Sequence, residues 1–171
     1  MNAEETLSLQ EIVAPESTCF GCGVRHPRGL HIKSYWDEEG QCVVARYRPA
    51  ADYAGWPGLV YGGFLAMLID CHSNWTVMAN HYRHENRPLQ SQPKIDCVTA
   101  ELNISYKKPT PMGVELDLRA WVEGEVGRKT TVICEIRAND VLTVRARSVF
   151  ARVDTAVLKH QAHGTEDLTG G

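Results

Sequence analysis

Between Ala54 and Tyr82 the only Asp, Glu, Lys or Arg is Asp70, although 23% of the whole chain is charged. An ionised carboxylate in such apolar surroundings costs several kcal/mol unless hydrogen bonds or an opposite charge compensate it, and no Lys or Arg lies within a helical turn. Isolated carboxylates of this kind concentrate where acid–base or nucleophilic chemistry is done. The structural alternative is an Asp that accepts hydrogen bonds from Ser73 and Asn74, at i+3 and i+4 on the same helix face. A second candidate is Tyr61-Gly62-Gly63. The first N–H groups of a helix have no partners within it, and two glycines let a ligand oxygen approach them closely, which suits an oxyanion. Gly62 and Asp70 are separated by about 12 Å along one helix at ~1.5 Å per residue, too far to serve one carbonyl. Two antiparallel copies of the helix across a two-fold axis would bring Asp70 of one to the glycines of the other, so the spacing predicts an obligate homodimer with two equivalent sites.

Other reactive residues are weaker candidates. Cys19-Phe20-Gly21-Cys22 has the spacing of half a zinc site or a redox motif, but no second Cys-x-x-Cys follows, and no metal is expected. Cys71 adjoins Asp70, yet adjacent helical residues point about 100° apart and buried cysteines usually serve as small hydrophobes. His72, His81 and His84 show no spacing that isolates a metal site and are expected at the surface or as caps.

The elements that must position these residues can be read from patterning. Leu30 to Trp36 and Gln41 to Arg48 read as strands joined by a polar turn. Phe64 to about Asn80 is free of Gly and Pro and reads as a helix whose apolar residues point in nearly every direction, hence a helix enclosed by other elements. Alternation of Val98, Ala100, Leu102, Ile104 and Tyr106 with polar residues predicts a half-buried strand. Segments 114–122, 130–138 and 141–153 follow as further strands, and short connections favour an antiparallel meander. The order is α+β, with a curved sheet around a long helix. Arg83 to Lys94 reads as a loop.

Length and composition bound the partners. A chain of 171 residues with 43% hydrophobic content fits one domain with a real core. A net charge of -3 and no cluster of five basic residues argue against nucleic acid. The longest apolar run, Phe64 to Ile69, is far below the ~20 residues of a membrane span. Residues 1–16 lack a basic, apolar leader pattern, so a cytoplasmic location is expected, with the six cysteines reduced.

Taken together, several motifs resemble one known family. Cys22-Gly23 with Pro27 and Gly29-Leu30, Tyr61-Gly62-Gly63 with Asp70 nine residues after Tyr61, and Thr99-Ala100-Glu101-Leu102 leading to Tyr106-Lys107-Lys108-Pro109 are similar to the hotdog-fold thioesterases of the phenylacetate-pathway (PaaI-like) branch. The resemblance covers a hotdog thioesterase-like domain (19–153), preceded by an N-terminal extension (1–18); residues 154–171 have little to bury and are expected to form a mobile tail. It implies a long central helix wrapped by an antiparallel sheet, dimers or dimers of dimers, and hydrolysis of acyl-CoA, with coenzyme A entering as part of the substrate and no cofactor.

By position, the resemblance makes Asp70 the catalytic carboxylate, as general base or nucleophile, and Gly62 and Gly63 the oxyanion donors. Thr99 matches a position that helps hold the attacking water. Strict alternation places Thr99 on the face opposite Val98 and Ala100, so reaching the site requires a bulge or an interface. Tyr61 stands where the family usually has His, and a phenol does not exchange protons at neutral pH as imidazole does. Asn74 and Ser73 beside Asp70, with Lys107, Lys108 and Arg128 for the coenzyme A phosphates, complete the candidate binding set. The rival readings are a non-catalytic acyl-CoA-binding or sensing module, which the missing His favours, and an enoyl-CoA hydratase.

Overall fold

A computed structural model describes residues 7–154. A short helix α1 (Leu9–Val13) precedes strands β1 (Tyr35–Asp37) and β2 (Cys42–Tyr47). The long helix α2 (Gly62–His84) and strands β3 (Asp96–Tyr106), β4 (Leu116–Glu123), β5 (Lys129–Ala138) and β6 (Val141–Val153) follow. The strands form one antiparallel six-stranded sheet in the order β1-β2-β4-β5-β6-β3. This is the hotdog fold, with α2 packed on one face of the sheet.

The meander expectation holds for β4 to β6 only. Asn139 and Asp140 turn the β5–β6 hairpin with φ of 50° and 62°, the left-handed pair that a two-residue hairpin favours. β3 does not pair with β4. It crosses to the far edge beside β6, because the Pro109–Gly113 connection carries the chain over the start of α2 and bridges Leu59 through Pro111. The first expected strand is also shorter: of residues 30–36 only Tyr35 and Trp36 lie in β1, while Leu30 and Ile32 are buried as loop residues.

Helix α2 is six residues longer than the pattern 64–80 suggests. It begins at Gly62, with Tyr61 as a cap in extended geometry, and takes in Arg83 and His84, basic residues that favour the negative end of the helix dipole. Leu68, Ile69 and Val77 are fully buried against the sheet. Enclosure is incomplete, however. Gly63, Met67, Asp70 and Asn74, at spacings of three and four residues, form a strip left partly open to solvent.

The described part of the expected extension, residues 7–18, packs on the core through α1. Ser8 caps α1 reciprocally with Glu11, Leu9 is buried, and Gln10 bonds both the amide and hydroxyl of Ser34. Ser34 Oγ in turn lies 2.9 Å from His72 Nδ1, and His72 Nε2 donates to the Val43 carbonyl at 3.1 Å. His72 is therefore an interior residue, correcting the surface expectation, and burial pushes its pKa down to about 4. The expected tail, apart from Asp154, lies outside the described residues.

Candidate active site

Asp70 lies at the middle of the open strip, half-buried. Its partner is Thr99 of β3, whose Oγ1 donates to Oδ1 at 2.6 Å. The other carboxylate oxygen has no partner among the described residues. Neither Ser73 nor Asn74 bonds Asp70. Asn74 donates to the Cys97 carbonyl at 3.0 Å and braces β3 against the helix. Ser73 is wholly buried: three residues on from Asp70 and about 60° round the helix, it turns into the core.

A bulge brings Thr99 to this position. Thr99 pairs with Phe150 and Glu101 with Val149, leaving Ala100 as an extra residue that reverses the alternation of β3. The reading of Val98, Ala100, Leu102, Ile104 and Tyr106 as one face therefore fails at its first two members. β3 is also an edge strand, and residues 99–103 are exposed in the single chain.

At the helix start, the N–H groups of Gly62 and Gly63 have no partner among the described residues, whereas Phe64 and Leu65 both donate to the Tyr61 carbonyl. The Tyr61 ring folds back over Gly63: a Cβ there would meet ring carbon Cε1 at 2.5 Å. Tyr106, absent from the expected site, donates from its hydroxyl to the Gly62 carbonyl at 2.8 Å and ties the end of β3 to the start of α2. Alternation put Tyr106 on the inward face with Leu102 and Ile104, but the meeting of its hydroxyl with the helix start is a tertiary contact.

The basic residues divide between the two ends of α2, about 34 Å apart for 23 residues at ~1.5 Å each. Lys107 and Lys108 are exposed just beyond Tyr106, their amides bonded to the Thr143 carbonyl. Arg128 lines a cavity of about 1140 Å³ at the opposite end, with His81, His84, Lys94 and Arg152. His81 is buried rather than superficial, and burial, then the Arg152 charge, holds its pKa below the usual imidazole value. One chain cannot present Lys107, Lys108 and Arg128 to one ligand phosphate.

Comparison with known proteins agrees with this architecture. Residues 57–145 match the thioesterase superfamily, and the chain belongs to that family. A thioesterase superfamily protein from Shewanella loihica is 35% identical, the likeness covering 72% of this chain and 91% of that one with a TM-score of 0.58. Acyl-coenzyme A thioesterase THEM4 from Rattus norvegicus is 25% identical over 128 residues, 74% of this chain and 50% of the rat protein. The chain thus spans about half the length of the curated relatives it matches. A Streptococcus mutans protein whose structure was solved bound to acetyl CoA shares the fold at 15% identity, with a TM-score of 0.58 over 71% of this chain and 88% of that one. No helix among the described residues is long and apolar enough to cross a membrane.

Proposed function

We propose that this chain is an acyl-CoA thioesterase acting as an obligate homodimer in the cytoplasm. The observation that carries the reading is a carboxylate pinned by Thr99 on the open strip of α2, while the Gly62 and Gly63 amides stand idle at the end of the same strip. In an antiparallel pair of helices, Asp70 of one subunit faces Gly62 and Gly63 of the other. Asp70 takes the proton of a water that attacks the thioester carbon, or attacks that carbon itself to form a mixed anhydride, which water then hydrolyses to release the acid and restore the carboxylate. The partner's glycine amides hold the developing oxyanion, and the coenzyme A thiolate departs. Lys107, Lys108 and Arg128 meet the coenzyme A phosphates, with groups from the two ends of α2 brought together by the second subunit. The name of THEM4 and the acetyl CoA bound to the S. mutans protein support this substrate class.

The dimer has independent physical support. β3 presents an unpaired edge of eleven residues, with Leu102 and Tyr106 exposed, and a long uncovered edge strand invites pairing with another chain. A non-catalytic acyl-CoA-binding role is the second reading, favoured by the Tyr61 ring over Gly63. Released thiol decides between them. Wild type should hydrolyse members of an acyl-CoA panel, and Asp70→Asn should lose about 10²- to 10⁴-fold in turnover while still binding coenzyme A. Equal turnover by both proteins rejects the assignment of Asp70, and tight binding without product establishes the second reading.

A further inference from the structure

The Cys-x-x-Cys motif lacks a second motif in sequence, but the fold supplies a third sulfur. Cys19, Cys22 and Cys71 place their three Sγ atoms within 4.8 Å of one another, with Cys19 and Cys71 4.0 Å apart. In a tetrahedral zinc–thiolate site with Zn–S bonds of about 2.3 Å, neighbouring sulfurs lie about 3.8 Å apart. The loop around them is shaped to this end. Gly23 N donates to the Cys19 carbonyl at 2.8 Å, closing a tight turn. A Cβ on Gly21 would sit 2.4 Å from Cys71 Sγ, so only glycine lets the helix thiol enter. The Trp75 indole N–H donates to Cys22 Sγ at 3.2 Å, the kind of outer donor that orients and stabilises a metal-bound thiolate. Cys22 and Cys71 are buried and Cys19 is exposed, which leaves the fourth position open toward solvent.

We propose that Cys19, Cys22 and Cys71 form a three-thiolate binding site for Zn²⁺, which clamps the N-terminal loop to α2 at the residue next to Asp70. Soft thiolate ligands in tetrahedral array select Zn²⁺ over the hard divalent cations, and three sulfurs this close can all be ionised only around a cation.

The test uses the full chain, reduced, stripped with a chelator and titrated with Zn²⁺ against a chromophoric competitor. Co²⁺ serves as a spectroscopic probe. One ion per chain is expected, with the intense sulfur-to-cobalt charge-transfer absorption of thiolate ligation. Cys19→Ser, Cys22→Ser and Cys71→Ser should each weaken binding about 100-fold or more, and Trp75→Phe by about 10- to 100-fold. Cys97→Ser and Cys134→Ser, which remove buried thiols elsewhere, should bind as wild type. Cys19 is exposed, so its variant remains informative if Cys71→Ser fails to fold. Absence of Zn²⁺ binding by the reduced protein, or wild-type affinity in Cys19→Ser, overturns the proposal.

Discussion

The hydroxyls of Thr99 and Tyr106, seven residues apart on β3, both reach α2, one at Asp70 Oδ1 and the other at the Gly62 carbonyl. Residues an odd number apart on a regular strand face opposite sides, so the extra residue Ala100 is what allows both contacts. Deleting Ala100 should restore alternation and break one of them. Turnover should fall at least about 10-fold, the loss expected when a hydrogen bond to a charged group worth about 1.5 kcal/mol or more is removed. Thiol release and thermal melting check this, and a deletion variant matching wild type in both sinks the role given to the bulge.

Thr99 holds Asp70 through a short, charge-assisted bond. Thr99→Val, nearly the same shape without the hydroxyl, should lower turnover by about 10- to 100-fold with little change in binding, since such bonds contribute about 1.5–3 kcal/mol. Thr99→Ser should recover most of the rate. Steady-state kinetics on one acyl-CoA separates the two parameters; a valine variant with unchanged turnover would mean that Thr99 is merely packed there.

A shared site predicts complementation. Asp70→Asn chains retain their glycines, and Gly63→Val chains retain Asp70. Each homodimer should be inactive, whereas a mixed dimer holds one intact site of two. Random mixing after co-expression should therefore return about a quarter of wild-type activity. Recovery at background level would place both groups in one chain's site and reject the antiparallel arrangement.

His72 makes a pH prediction. Its folded pKa of about 4 lies below the unfolded value near 6.5, so the unfolded chain binds the extra proton between these limits. The stability that His72 contributes is complete above pH ~6.5 and declines as pH falls toward 4, by up to about 1.4 kcal/mol per pH unit. Urea unfolding across this range should show a slope that is reduced in His72→Gln. An identical slope in both proteins would show that carboxylates alone govern the acid limb.

The strand–strand–helix–four-strand order was legible because alternation and helical spacing report which residues meet the core, and Asp70 stood out against a depleted background. What the patterns could not carry was tertiary. The parity change at Ala100 leaves no local mark, so β3 read as a regular strand and Thr99 as facing away from α2. His72 reads as a surface or capping residue, and Ser73 as a neighbour of Asp70, until the fold buries both. Cys71 gained meaning only when the fold set it against Cys19 and Cys22, fifty-two and forty-nine positions earlier in the chain. The far end of α2 was misjudged because Arg83 and His84, polar and followed by Pro88, read as loop.

The contact from Gln10 through Ser34 to His72 bears on how the chain can be trimmed. A shortened version beginning at Cys19 would discard the glutamine amide and leave the Ser34 backbone N–H orphaned in a dry interior, beside an imidazole stripped of its brace. Helix α1 thus seals a buried polar chain from water, and a minimal fragment cut without it would be prone to collapse.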